Sequence, residues 1–528
     1  MIFNKKKRYF CSLSAILAVV GLLSGCAELD TSPAGNVEQE EEIVSLGLPP
    51  EFNYEVPVSL PDIMIDQVGY AQGSNKIAVF RGEILPDTYD LVESETGEVV
   101  YTGTIKKKGY NFLTGENISY GDFTDFTEPG TYYLQADIIG RSYSFMISDN
   151  PYSEIFIAAM KRYYYSRCGL TLSSELAGDK AHNACHTNTA LLKEDTTIAL
   201  DAAGGWHIDE NGQRDVIKGC QAINNLLLAY ELYGSVFTDE TGIPESGNGI
   251  PDVMDEVKYE IDWLLKMQDA ESGAVYSAVS IINNADNAYQ MYIESVTMEA
   301  TIQFAATMAK FSYLYQSYDV DYATQCLRAA DRAYRYVEKY PADVSEESCF
   351  FAAAELYRAT GNYAYRNVVH QYLEKEEKAN ISNDYVFWGC VTYLSTKQRV
   401  DVNLCEKVIK GLLSDVENIS FASKNSKYLT EGNQDQNNNR ELLQKMVRLA
   451  VVDHIITNHE YMTVLENHLH YFLGRNALSI SYIDDAGDRN YKTVDEKTGI
   501  MQQIDSNAEL IVMLSAIEAD LAETLERQ

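Results

Sequence analysis

Four side chains in this 528-residue chain could hold a metal between them: Cys168, the adjacent pair Cys185 and His186, and His207. Two thiolates and two imidazoles form a closed tetrahedral donor set for zinc, with no position left for water. Such a site braces a loop and activates nothing. The spacing is too long for a zinc finger, so residue types alone also fit two buried cysteines and two surface histidines. His207 ends the stretch GGWH, residues 204–207, and IDENGQRD follows at 208–215. Asp209, Glu210 and Asp215 in that segment are groups that could move a proton. A further acidic group, Asp252, Asp255 and Glu256 in SGNGIPDVMDE, has the hard-oxygen chemistry of calcium. Carboxylates at a helix start also complement the helix dipole, and this structural reading is the preferred one.

The elements that must position these residues fall into two regions. From about 59 to 148 the runs KIAVFRG, TYDLVES, EVVYTGTI, GTYYLQADI and RSYSFMIS are rich in β-branched and aromatic residues. Turn signals such as TGE and EPG separate them, which predicts a sandwich of about seven strands. After DNPYSEIF, from 149 to 528, helical periodicity takes over. IPDVMDEVKYEIDWLLKMQD carries Pro251 in its first turn, then a buried-face pattern through Val253, Met254, Val257, Ile261, Leu264 and Leu265. Roughly a dozen such helices with Ala-rich faces predict an α/α toroid, although another bundle would have the same periodicity.

Lys and Arg number 42 against 78 Asp and Glu, a formal net charge of −36. No basic stripe is present to neutralise phosphates, which argues against nucleic acid. The 38 tyrosines could stack sugars or simply pack at surfaces. At the N-terminus, Lys5 to Arg8 precede the apolar run YFCSLSAILAVVGLL and then SGC. This predicts an export signal over 1–25, with Cys26 lipidated as in a bacterial lipoprotein; an ordinary cleaved signal is the alternative. Residues 26–58, including VEQEEEIV, read as a flexible acidic tether. The expected location is the cell surface, on a membrane anchor. The seven remaining cysteines are odd in number and scattered, so no disulfide framework is expected.

Several longer motifs carry a family resemblance. IDQVGY with GDFTDFTEPGTYYL resembles the immunoglobulin-like module that precedes many family 9 glycoside hydrolases. SRCG, HNACH, GGWH, ESGNGIPDVMDEVKYEIDWLLKMQD, FFAAAELYRATG, HYFLGRN and IDSNAEL follow in that family's order, over about residues 60–525. The resemblance implies an N-terminal immunoglobulin-like β-sandwich followed by an all-α (α/α)6 barrel. It implies inverting hydrolysis of cellulose or related β-1,4 glucans. It also implies a structural zinc at Cys168, Cys185, His186 and His207.

The catalytic motifs fit less well. Inversion needs one carboxylate to activate water and another carboxyl to protonate the leaving oxygen. The family's base motif resembles GGW[HY]DAGDYGKY, and it aligns without a gap from Gly204 to Gly219. Its first Asp falls on Ile208, its second, the base, on Asn211, and the following Tyr on Gly212. An amide does not take a proton from water. Asp209 and Asp215 are out of phase, and Asp209 would need a rearranged loop to substitute. The acid motif resembles NEVAIDWNA; in IMQQIDSNA, residues 500–508, the acid position holds Met501, with Glu496 the nearby substitute. The Pro-His-His-Arg cluster usual after LGRN has no counterpart in Ser481–Gly499, and a Trp-Gly-Ser-Asn segment is replaced by TEGNQDQNNN near 430–439. The expectation is a surface-anchored β-glucan-binding protein with impaired catalysis and a remnant cleft lined by Trp206. An active β-glucanase using Asp209, Asp215 and Glu496, and a non-catalytic scaffold, are the alternatives.

Overall fold

The structure is a computed structural model that describes residues 61–283, 289–375, 380–431, 439–456, 458–484 and 499–527. The described residues belong to one compact unit, Leu60–Gln528. The expected signal, Cys26 and the acidic tether lie outside the described residues, as does Glu496.

The first described region is all β. Its strands are β1 (Ile63–Met64), β2 (Gly69–Ala71), β3 (Ile77–Arg81), β4 (Thr88–Glu93), β5 (Val99–Asn111), β6 (Glu116–Asp122), β7 (Gly130–Ala136) and β8 (Gly140–Ser148). They pair in the order β1-β3-β6-β5-β4-β7-β8-β2, antiparallel except for β2 on β8. Alternation drives this: on β7, Tyr132, Leu134 and Ala136 are buried while their neighbours face outward. Tyr70, Phe80, Tyr89, Leu91, Phe123 and Phe145 fill the core between the faces. The first half of β5 pairs with β4 and its second half with β6, so this one long strand serves both.

The second region holds α1 (Ser153–Tyr165), α2 (Ser174–Ala177), α3 (Val216–Tyr233), α4 (Asp252–Lys266), α5 (Met298–Tyr315), α6 (Val320–Val337), α7 (Glu346–Thr360), α8 (Tyr363–Lys375), α9 (Asp384–Ser395), α10 (Val402–Asn425), α11 (Asn439–Ile456), α12 (His459–Phe472) and α13 (Ile504–Arg527). Two burial patterns sort them. On α6 only one stripe is buried, Ala323, Cys326, Ala330, Ala333 and Val337, as on a helix with one wet face. On α5 every residue from Ala300 to Ser312 is buried, as on a helix surrounded by others. The helices α3, α5, α7, α9, α11 and α13 form the inner ring, which closes where α13 packs on α3; α4, α6, α8, α10, α12 and α1 back it. This is the (α/α)6 barrel. Among the described residues no helix is long and apolar enough to cross a membrane.

One feature departs from the sequence reading. Five short strands interrupt the helical region: β9 (Ala190–Leu192), β10 (Ala199–Leu200), β11 (Arg214–Asp215), β12 (Ala278–Asn283) and β13 (Tyr289–Ile293), ordered β10-β9-β13-β12-β11. They gather the long loops that lead into α3 and α5. Strands of two to six residues are too short for alternation to show in sequence.

The sandwich is joined to the barrel at the HYFLGRN turn. Gln67 N donates to Leu473 O (2.9 Å), Gln67 Nε2 to Ser479 O (2.8 Å), and Arg81 Nη1 to Ala477 O (2.9 Å). His470 Nδ1 lies 2.9 Å from Asp66 Oδ2 in full burial. Burial pushes the Asp66 carboxyl well up and the His470 imidazole well down.

Candidate functional site

The metal cluster is built by backbone pairing across distant segments. His207 N donates to Ser166 O (2.7 Å) and Cys168 N to Gly205 O (2.8 Å), so segments 166–168 and 205–207 lie side by side. That brings Cys168 and His207 together. Gly205 has φ +78°, and a Cβ there would sit 2.7 Å from the Trp263 ring, so the second glycine of GGWH is the residue that fits. Cys185 and His186 arrive on the loop after α2, with His186 itself at φ 51°, a strained position for a residue with a side chain. Gly212 closes over it: a Cβ there would lie 2.2 Å from His186 Cε1.

The donor atoms fit zinc. Cys168 Sγ is 4.0 Å from Cys185 Sγ and 3.7 Å from His186 Nδ1, and Cys185 Sγ is 3.6 Å from His207 Nε2. All four ligand atoms lie within 4.8 Å of one another. A tetrahedral zinc with ordinary bond lengths sets its donors about 3.3–3.8 Å apart. The sulfurs are far beyond disulfide length, and all seven described cysteines are free. Arg214, fully buried, donates from Nη1 to Cys168 Sγ (2.7 Å) and from Nη2 to Ala202 O (3.1 Å). A buried guanidinium of this kind offsets thiolate charge. Its residue type was visible in QRD, yet only the fold aims it at the sulfur. These residues would hold the metal through His186 Nδ1, His207 Nε2 and both sulfurs.

The residues at the expected acid–base positions have structural partners of their own. Asn211 is exposed, and its Oδ1 accepts from Asn283 Nδ2 (3.4 Å). Asp209 is committed to its own loop: Oδ1 accepts from Asn211 N and Gln213 N (both 3.0 Å), and Oδ2 from Gln213 Nε2 (2.9 Å). Asp215 caps α3, accepting from Lys218 N (2.9 Å). Ile208 packs against the barrel core. Met501 is buried and lines a cavity at the sandwich–barrel seam, with Gln67, Val68, Asn150 and Ile155.

Two other expectations need correction or refinement. Trp206 lines no cleft. It is fully buried, its ring 4.5 Å from that of Tyr163 and its backbone N donating to Glu260 (2.6 Å), so no indole face is open to a ligand. The acids at the α4 start serve structure. Asp252 accepts from Ser246 Oγ (2.8 Å), Asp255 from Asn248 Nδ2 (3.0 Å), and Glu256 from buried Arg167 Nε (3.1 Å). Among the described residues the Cys–His group is the one metal-capable cluster found.

A cavity of about 350 Å³ opens where the N-terminal ends of all six inner helices converge. Gln221, Asn224, Asn225, Gln303 and Gln444 line it with amides, and Phe351, Tyr385 and Trp388 with rings. Arg440 pairs with Asp505 (2.6 Å), and Arg448 with Asp415 (3.0 Å). Gln444 Nε2 donates to Asp384 Oδ2 (3.3 Å). Burial drives the Glu509 carboxyl well above the usual range, and Asp384 upward. With its cations paired, this is a polar pocket. The sequence signal for it was a charged residue, Glu509, inside the apolar run of α13, and it went unused. None of Ile208, Asp209, Asn211, Asp215 or Met501 lines this cavity.

A sandwich seated on an (α/α)6 barrel, with a polar cavity at the inner-helix N-termini, is the architecture of a class of polysaccharide hydrolases. The model for glycosyl hydrolase family 9 matches residues 152–512, and that for the cellulase N-terminal Ig-like domain matches 59–141. The chain belongs to glycosyl hydrolase family 9 and is cellulase-like. It is 28% identical to a cellodextrinase of Butyrivibrio fibrisolvens, over 81% of this chain and 86% of that protein. It is 29% identical to endoglucanase D of Acetivibrio thermocellus, over 92% of this chain and 77% of that protein. The crystal structure of a metagenome-derived family 9 endoglucanase superposes with a TM-score of 0.77 at 25% identity, covering 87% of this chain and 98% of that one.

Proposed function

We propose that this chain binds β-glucan in the cavity at the barrel mouth and has lost most or all of the family's hydrolytic capacity. The observation that carries the reading is the fate of the two proton-transfer positions. Asn211 offers an amide where a base is needed, and Met501 points a thioether into the seam. The candidate substitutes among the described residues, Asp209 and Asp215, are engaged in loop and cap bonds. The amide and aromatic lining of the cavity suits sugar hydroxyls and ring faces. The relatives' names point to β-1,4 glucans as the ligand class.

The same reading includes zinc at Cys168, Cys185, His186 and His207, supported by the donor set and its spacing. When bound, zinc supplies a cross-link between three loop segments. It also includes export and a lipid anchor at Cys26, supported by the basic and apolar N-terminal pattern. The test is a paired assay on purified protein. Incubation with a β-glucan panel is expected to release no reducing ends, while affinity gels containing the same glucans retard the protein. Turnover abolished by Asp209→Asn or Glu496→Gln overturns the reading in favour of relocated catalysis. Absence of retardation on every glucan favours a scaffold.

A further inference from the structure

The β5–β6 hairpin carries a surface that the glycan-binding reading does not use. β4 stops pairing with β5 at Thr104, so from Lys106 onward the outer edge of β5 has no neighbouring strand among the described residues. Lys106, Lys107 and Lys108 follow one another there, all exposed, in a chain whose net charge is −36. The Lys108 Nζ lies over the Tyr120 ring, 4.7 Å from its centroid, while Lys106 and Lys107 take part in no salt bridge among the described residues. Lysines on a free edge guard against strand pairing, and this alone would explain them. It does not explain what lies beyond. At the tip, Tyr110, Phe112 and Leu113 are 46%, 88% and 65% exposed, with the Tyr110 and Phe112 rings edge to face at 5.1 Å. Three large apolar side chains at one protruding turn, flanked by three cations, form a contiguous amphipathic patch.

The hairpin is held firmly. Lys427 Nζ, from the turn after α10, donates to Lys108 O (2.7 Å), and Tyr120 OH donates to Lys427 O (2.9 Å). Asn111 accepts at its carbonyl from Gly115 N (2.9 Å), which closes the tip. Arg81 Nη2 donates to Pro61 O (3.1 Å), and its Nη1 is 3.6 Å from Glu116 Oε1, whose residue pairs with Asn111 at the tip. One arginine side chain therefore spans from the first described residue to the base of the tip.

We propose that this hairpin tip docks on an anionic lipid surface, with Phe112, Leu113 and Tyr110 at the headgroup–acyl boundary and Lys106 and Lys107 on the headgroups. Aromatic and aliphatic side chains supply the interfacial anchor, and lysines supply attraction to anionic lipid. The charge match is local. The acidic remainder of the chain is repelled by the same surface, which favours contact through this corner. The proposal deepens the anchoring part of the functional reading, yet it requires no acyl chain on Cys26.

The experiment uses residues 27–528, without leader or lipid, and co-sedimentation with phosphatidylcholine vesicles that contain either no anionic lipid or about one part in three of phosphatidylglycerol. Binding to the anionic vesicles, weakened by salt, is expected. Lys106→Glu with Lys107→Glu, and separately Phe112→Ser with Leu113→Ser, should each weaken it about tenfold or more. All four positions are exposed, so the melting temperature should hold. Phe112→Trp should blue-shift its emission on adding anionic vesicles. No sedimentation of the wild type, or equal sedimentation of both double variants, overturns the proposal. So does a concentration-dependent dimer, or glucan retardation, that Phe112→Ser with Leu113→Ser abolishes while vesicle binding persists. Acylation of Cys26 is read separately, from the mass of the mature chain, so the two ideas fail independently.

Discussion

The loop from Gly204 to Asp215 contains two neighbouring regions with different fates. Its first half supplies His207 to a four-donor cluster whose atoms remain within bonding range of a single metal. Its second half, at the positions of the family's base, holds Ile208 and Asn211. The difference follows from what each loss costs the fold. A metal held by the four donors would cross-link three segments, and removing one donor would undo that link. Replacing an exposed carboxylate by an amide at Asn211 leaves every backbone bond of the loop in place. Stability would constrain the first region and be indifferent to the second.

That contrast can be broken experimentally, most forcefully at the cluster. Elemental analysis should give about one zinc per chain, and Cys185→Ser or a strong chelator should lower unfolding free energy by about 4 kcal/mol if metal stands at a thousand times its Kd. Zinc-free protein of unchanged stability would erase the difference between the regions. Next in size is Met501→Glu, which places a carboxyl in the seam cavity without a partner. It should cost about 2 kcal/mol in urea unfolding and, even combined with Asn211→Asp, restore no glucan hydrolysis. Recovery of turnover would show that the two positions still face one another.

The barrel-mouth pocket gives a pH test. Burial raises Glu509 above its unfolded value, so its folded form holds a proton that the unfolded chain has lost. Its contribution is therefore fully present below the unfolded value near pH 4.5 and declines as pH rises toward the folded one. Glu509→Gln should flatten that decline, measured as stability against pH. An unchanged slope would mean the carboxylate is solvated. Smaller still, Asp215→Ala should cost about 1 kcal/mol through the lost cap, and Asp215→Asn much less. Asn211→Asp should change stability by under about 0.5 kcal/mol.

Much of this was legible in the sequence. Alternation through TYDLVES and GTYYLQADI specified strands, because a half-buried strand must alternate. Periodicity specified the outer helices, and α6 shows it plainly. The four donor types, and the residue types of Asn211 and Met501, are statements of residue identity that no fold can alter. Trp206 was misread, because an aromatic beside glycines has the same letters whether its ring faces a ligand or Tyr163. The α4 acids were correctly seen as helix-start residues, but their partners, Ser246, Asn248 and Arg167, could not be read from spacing.

The sequence by itself thus determined which side chains are available: thiols and imidazoles that could hold a metal, an amide and a thioether at Asn211 and Met501, and two regions of different periodicity. Tertiary structure alone decided convergence. It placed Cys168 beside His207 through two backbone hydrogen bonds, turned Met501 into the seam, and collected six helix N-termini around Glu509. The reason is physical: side-chain chemistry is carried by each residue, whereas distance between residues far apart in the chain is set by the packing of everything between them.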